Sequence, residues 1–290
     1  MHIIIGASGQ VGAAVAAHLL EMEEPVKGIV RDMKKAPPLQ AKGAVVEKAD
    51  LQDLRALTRA LQDGTTLFII TPEDMHSEDM MGDTQKLLDN YHKALEASSI
   101  KKVVGISSIG AQHEKGTGNL QQSYMLEHAF TDLPIEKIFI RPAYYLSNWL
   151  PYLPVMQETG KLPTFFPADM PLSMISPMDV AAFAADVLVG EHGITKVYEL
   201  LGPAEYTAND VAEAFSQALG KPIKAHTIHR NQWKKELQQL HFTADAIKQF
   251  TCMTEAVING RTALAGSGTA VVKGKTSLQQ YIEEAVKVTV

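Results

Sequence analysis

The feature that most constrains this chain lies at its start. Ile3-Ile4-Ile5 runs directly into Gly6-Ala7-Ser8-Gly9-Gln10-Val11-Gly12. A short β-branched run, three glycines at equal spacing, and then Val11, Val15, Leu19 and Leu20 at helical spacing read as strand, turn and helix. Gly6 permits the tight turn. Gly9 lets a phosphate approach the backbone, and Gly12 lets the helix pack close to the strand. The free N–H groups and the dipole of that helix then favour an anion. Gly6, Ala7, Ser8, Gly9, Gln10 and Val11 are therefore the first candidate cofactor contacts, and a dinucleotide is the expected ligand.

The next 130 residues repeat the strand–helix alternation. Strands are expected at Pro25 to Val30, Ala44 to Val46, Leu67 to Ile70, Val103 to Ile106 and Ile138 to Ile140. Helices are expected at Leu51 to Leu61, Thr84 to Ser98 and near Ser123 to Phe130. Strands apolar on both faces and separated by helices indicate a parallel sheet covered on both sides. The fold class is thus α/β, a doubly wound Rossmann sheet.

The second half reads differently. Pro151 to Pro171 is proline-rich and is expected to be a linker or an irregular insertion. Ser176-Pro177-Met178-Asp179 is a helix start, with a cap, a proline for the first turn and an acid at the positive end of the dipole. Val197 to Leu201 reads as a strand, and Thr207 to Leu219 as a helix closed by Gly220. The tail is mostly helical, interrupted between Gly260 and Gly274. These signals divide the chain into a Rossmann domain (1–150 and 176–202) and a smaller substrate-side domain (151–175 and 203–290).

Composition removes several alternatives. The net charge is −6 and the basic residues are scattered, which argues against binding to nucleic acid. The single cysteine, Cys252, cannot form an intrachain disulfide or a cysteine-rich zinc site. No apolar run approaches the ~18 residues of a membrane span. The start of the chain lacks a basic segment followed by a long apolar one, so no signal peptide is expected and a cytoplasmic location is the default. No constellation suggests a metal site. His226 and His229 alternate as a metal pair would, but a solvent-facing strand edge is the favoured reading.

Further candidates follow from the sheet. The end of the second strand carries Arg31, with Lys34 and Lys35 nearby. An arginine there suits a 2′-phosphate, so NADPH is expected over NADH. Asp32 is the competing residue, since one residue of slippage would turn it to the ribose. Ligands bind beyond the carboxyl ends of parallel strands. Asp50-Leu51, Thr71-Pro72, Ser107 and Pro142 all occupy such ends, although Asp50 also reads as a helix cap. Tyr144, Tyr145 and Asn148 follow the sixth strand and are candidate substrate contacts. Trp149, Phe165 and Phe166 are candidate walls for a flat acceptor. The loop from Gly110 to Gly118 reads as a lid or as a surface loop.

Taken together these residues resemble the NmrA-like family of atypical short-chain dehydrogenase/reductases. The resemblance rests on the Gly6 to Gly12 motif, with its G-x-x-G-x-x-G spacing, and on Arg31 and Ser107-Ser108. It continues through Ile140-Arg141-Pro142, Tyr145, Asn148, Gly202-Pro203 and Thr276-Ser277-Leu278. It implies an NADPH-dependent reductase of quinone-like or azo acceptors, a small-molecule electron acceptor being the partner. The alternative it implies, in another class, is a dinucleotide sensor that binds a partner protein. Asp50 would then lie beside the adenine. Reductases of the wider superfamily carry Tyr-x-x-x-Lys, in which the phenol handles a proton. Here Tyr124 is followed at that spacing by His128, which makes Tyr124 the candidate catalytic residue. If Glu127 instead marks the register, Asn119 and Ser123 stand at the two positions and both catalytic groups are absent.

Overall fold

The computed structural model describes residues 1–191 and 195–289. Residues 192–194 and Val290, which fall inside the ranges expected for the two domains, lie outside the described residues. The chain opens with β1 (His2–Ile5), α1 (Gln10–Glu21), β2 (Val26–Val30), α2 (Pro37–Ala41), β3 (Val45–Lys48), α3 (Leu54–Ala60) and β4 (Thr66–Ile70). It continues with α4 (Met80–Glu96), β5 (Lys102–Ile106), α5 (Gln121–His128), β6 (Glu136–Pro142) and β7 (Tyr144–Tyr145). Then come α6 (Leu153–Thr159), β8 (Lys161–Thr164), β9 (Leu172–Ile175), α7 (Pro177–Val189) and β10 (Thr195–Leu201). The last part holds β11 (Glu205–Tyr206), α8 (Ala208–Leu219), β12 (Lys224–Thr227), α9 (Trp233–Gln239), α10 (Ala244–Ile258), β13 (Thr269–Lys273) and α11 (Leu278–Thr289).

Eight parallel strands form the main sheet in the order β3-β2-β1-β4-β5-β6-β10-β13. β1 lies between β2 and β4, so the strand order reverses at the end of β1 and a crevice opens there. Both faces are covered. Val15, Ala16 and Leu19 of α1 pack with Val180, Ala184 and Leu188 of α7 on one face. Leu57 of α3, Leu87 and Tyr91 of α4 and Leu126 of α5 pack on the other. Alternate residues of β1 divide between the two cores, Ile4 to the first and Ile3 and Ile5 to the second. That is why all three had to be apolar.

Three expectations are corrected. The stretch from Pro151 to Pro171 is regular rather than a linker. Pro154 sits in the first turn of α6, where its missing N–H costs nothing, and Gly160 ends the helix in the left-handed conformation at φ 68°. Pro163 lies in β8, which pairs only with β12 in a two-stranded sheet. The second correction concerns β13. It lies within the tail assigned to the smaller domain, yet it pairs with β10 as an edge of the main sheet. Its half-exposed faces gave no clear apolar signal; Val271 is 51% exposed. The third is the start of α3. Asp53, not Asp50, caps that helix by accepting from the N–H groups of Arg55 and Ala56.

The later segments build a second apolar cluster around Leu146, Trp149, Met156, Val211, Phe215 and Ile282. A smaller one joins Phe165, Ile228, Trp233 and Leu237. Trp149, Phe165 and Phe166 are buried in this packing and do not stand as open aromatic walls. Phe165 meets Trp233 and Phe250 edge-on, and the Trp149 indole N–H donates to the sulfur of Met174.

Candidate active site

The loop between β1 and α1 is shaped by two glycines. Gly6 has φ +68°, and a Cβ there would lie 2.6 Å from Ile70 Cδ1. A Cβ on Gly12 would lie 2.3 Å from the carbonyl oxygen of Gly6, so α1 sits too close to the loop for any side chain at that position. Gly9 caps α1 with extended backbone and no side-chain hydrogen bond, and the first turn carries no acid. The positive end of the helix thus has neither a side-chain cap nor a first-turn acid among the described residues.

A cleft of about 620 Å³ opens beside this loop. Of the predicted cofactor residues, Gly6, Ser8, Gly9, Arg31, Asp50, Leu51 and Pro72 line it, joined by Lys35. Arg31 follows β2 directly and is exposed. Asp32 is engaged elsewhere: its carboxylate accepts from the N–H of Lys34 and caps the short turn at Met33–Lys35. Asp50 accepts from the N–H of Gln52, and the Asn90 amide donates to the carbonyls of Leu51 and Gln52. These bonds fix the β3 end as one wall. The opposite wall comes from α4 and its approach, which the sequence pattern did not single out: Ser77, Met80, Asp83, Thr84 and Leu87. Ser77 and Lys86 donate to Asp83 and hold its carboxyl below the ordinary range. Gln122 reaches the cleft from α5; its amide nitrogen donates to Thr84, and its buried Oε1 has no partner among the described residues.

The other predicted residues lie outside this lining. Ala7 is fully buried under the loop, and Val11 packs with the α1 face of the core. Gln10 approaches the Tyr281 hydroxyl of α11 at 3.5 Å. Thr71 and Pro142 sit at the ends of β4 and β6 without lining the cleft. Ser107 belongs to a buried charged network. Its hydroxyl donates to Glu127 at 2.5 Å, and Glu127 takes two bonds from Arg141, at 2.8 and 2.6 Å. Arg141 Nη1 stands 3.7 Å from Glu199, which accepts from Ala265 N–H and the Thr269 hydroxyl. Glu127 therefore spans the end of β5 and β6.

Tyr124 does not line the cleft. Its ring stacks on exposed His128 at 4.0 Å, and its backbone carbonyl meets the His128 ring nitrogen at 2.8 Å. Helical geometry explains this: residues four apart share a face, and that face is the outer one of α5. Tyr144 is held by Asn148 and by the rings of Trp149 and Phe166, with burial pushing its phenol far up. Tyr145 is likewise pushed up by burial, and its hydroxyl has no partner among the described residues. One further group, Glu73, was missed by sequence reasoning. Asn119 Nδ2 donates to the carboxylate of Glu73 at 2.9 Å, which joins the loops after β5 and β4. Only the alternative register through Glu127 drew attention to Asn119.

Residues 2–264 of the 290-residue chain match the NmrA-like family. The chain belongs to that family. Among its NmrA-like relatives is an NAD(P)H azoreductase of Xenophilus azovorans, 27% identical over 245 residues, which covers 82% of this chain and 80% of that protein. Another is quinone oxidoreductase 2 of Escherichia coli strain K12, 30% identical over 246 residues, covering 83% and 82%. Among solved structures, an NADPH-dependent quinone oxidoreductase of Escherichia coli complexed with NADPH superposes with a TM-score of 0.79. It is 23% identical and covers 98% of this chain and 99% of that one, which establishes a shared fold. Among the described residues no helix is long and apolar enough to cross a membrane, and no group of three or more His, Cys, Asp or Glu could hold a metal ion.

Proposed function

We propose that this protein is an NADPH-dependent reductase that transfers hydride to a quinone-like or azo acceptor. The observation that carries the reading is a single cleft joining an uncapped helix N-terminus, a glycine-shaped loop and Arg31. The fit is chemical at three points. The α1 N-terminus suits the pyrophosphate, Arg31 with Lys35 suits a 2′-phosphate, and the wall of Asp50, Leu51 and Leu87 suits a flat base beside a ribose. The names of two relatives, an NAD(P)H azoreductase and a quinone oxidoreductase, support the acceptor class.

Bound NADPH would supply the hydride. The chain's own part is to hold, orient and exclude water. Electrophilic acceptors of this class need no phenol and lysine pair to polarise a carbonyl, so positioning carries most of the catalysis. That fits Asn119 and Ser123 at the positions discussed above, and it removes the need for Tyr124. The reading is tested by NADPH fluorescence, titrated with protein and then challenged with a panel of quinones and azo dyes. Saturable binding followed by protein-dependent loss of NADPH is expected. Binding without consumption on any acceptor would overturn it and favour a dinucleotide sensor.

A further inference from the structure

The loop after β4 sends its side chains in two directions. Pro72 and Asp74 line the cleft described above, whereas Glu73 between them meets Asn119 from the loop after β5. The sheet order says what lies there. β2 and β3 are on one side of β1, and β4 and β5 are on the other. A dinucleotide with its adenosine against the ends of β2 and β3 and its pyrophosphate at α1 must extend its reactive end over β4 and β5. Glu73 follows β4 by three residues, and Asn119 reaches it from the connection between β5 and α5.

The pair is built into the fold. Gly118, at φ +58°, lies so close to α10 that a Cβ there would be 2.0 Å from the carbonyl oxygen of Gln249. Asn119 is buried, and its Oδ1 has no partner among the described residues; nor has the fully buried Thr117 hydroxyl two residues earlier. Glu73 is reached by solvent although protein surrounds it closely.

We propose that Glu73 is the proton donor to the acceptor, held in place by Asn119. This rests on the reductase reading. The acceptor takes two electrons and a hydrogen as hydride from NADPH and becomes an anion. The Glu73 O–H bond breaks, and its proton forms the O–H or N–H bond of the reduced product. Glu73 is left as a carboxylate, which solvent reprotonates from the open side of the crevice. The sum is acceptor, NADPH and one proton giving dihydro-product and NADP⁺. Crowding by protein raises the Glu73 carboxyl above the ordinary value, as a donor requires, and the Asn119 amide pulls weakly the other way. Its neighbours in its own loop are Asp74, whose carboxylate accepts from the His76 N–H, and His76, whose ring meets the His241 carbonyl. Asn119 is the group that faces it from the loop after β5, and among the described residues no charged side chain on another element contributes to the shift.

The test uses the whole protein and Glu73→Gln, which keeps an acceptor oxygen for Asn119 but has no acidic proton. Carbon-13 NMR of the protein without ligand reads the Glu73 carboxyl directly. Titration clearly above the ordinary ~4.3 is expected, and titration at or below it overturns the proposal. With NADPH and a slow acceptor, wild-type kcat should fall as pH rises through that value. Glu73→Gln should lower kcat by about a hundredfold or more and flatten this limb, with NADPH affinity within about twofold of wild type. Glu73→Asp should retain the limb at reduced kcat. Unchanged kcat in Glu73→Gln, or an alkaline limb that persists in it, overturns the proposal. Failure of wild type to consume NADPH with any acceptor is instead the failure of the reductase reading, and the carboxyl titration then decides alone whether Glu73 keeps its proton.

Discussion

At the residue scale, the proposed function gives Arg31 the task of separating two cofactors that differ only by a phosphate. It is exposed, lies directly beyond β2, and shares a cleft with Lys35 and Asp50. Asp32, the residue that would favour a free ribose, has its carboxylate committed to the Lys34 N–H. Arg31→Asp should weaken NADPH by about ten- to a hundredfold, the worth of one or two charge-assisted hydrogen bonds, and NADH far less. Fluorescence titrations with both nucleotides measure this, and equal losses would remove Arg31 from the 2′-phosphate. The residue was legible in the sequence because a strand end fixes where its side chain emerges. Glu73 was not, because nothing in Thr71-Pro72-Glu73-Asp74 tells which acid turns to the cleft and which to the loop after β5.

At the element scale, the far end of the sheet is held by buried lysines. Lys102, at the start of β5, donates to the carbonyls of Val187, Leu188 and Gly190 at the end of α7. Lys27 of β2 donates to those of Ala60 at the end of α3 and Gln62 just beyond it, and Lys137 of β6 donates to that of Leu133. Helices leave their last carbonyls without partners, and a cation there also meets the negative end of the dipole. Lys102→Met should orphan three carbonyls at once and destabilise the fold by at least about 2 kcal/mol, at about 1–3 kcal/mol per buried unpaired group. A lower urea midpoint with an unchanged slope would show it; an unchanged midpoint would mean water replaces the lysine. At the opposite end, Asp179 of α7 binds the N–H groups of Lys275 and Thr276 and the Thr276 hydroxyl, which fixes the chain just before α11. The sequence marked Asp179 as favourable to its own helix dipole but could not reveal this second role across almost a hundred residues.

At the scale of the whole molecule, α10 clamps the two loops that meet at Glu73. Thr243 bonds to the carbonyls of Met75 and Ser77, and Asp245 accepts from the Met80 N–H. Gly118 presses on the backbone of the same helix. The Gly110 to Gly118 loop is further tied by Gln112 to the Ala263 carbonyl and by Arg261 to that of Lys115. Gly118→Ala should therefore push α10 away, lower the thermal midpoint by several degrees, about 1–3 kcal/mol for overpacking, and reduce turnover with it. Calorimetry with kinetics tests whether the two losses travel together. A second prediction concerns pH. Burial holds the His2 imidazole below its ordinary 6.5, against the opposing pull of Glu24. The unfolded chain takes up a proton at about that value and the folded chain only at lower pH. Stability is thus complete above about 6.5 and is lost as pH falls toward the folded value, by at most ~1.4 kcal/mol per unit. In urea melts from pH 7 to 5, His2→Gln should show a shallower loss than wild type.

The sequence by itself determined the doubly wound sheet, the glycine-shaped loop, the Arg31 position and the helix caps Ser176 and Thr207. These are short-range effects. An apolar period, a glycine where a Cβ would collide, or a hydroxyl one turn from an N–H acts within a few residues. The tertiary structure alone decided that Thr269–Lys273 joins the main sheet, and that the face of α5 carrying Tyr124 and His128 does not line the cleft. It alone decided that Ser107 answers to Glu127 and that Glu73 meets Asn119. The strand pairing and the two side-chain contacts join residues 20 to 72 apart in the chain, and such meetings depend on how helices and loops from separate crossovers pack over the ends of the strands.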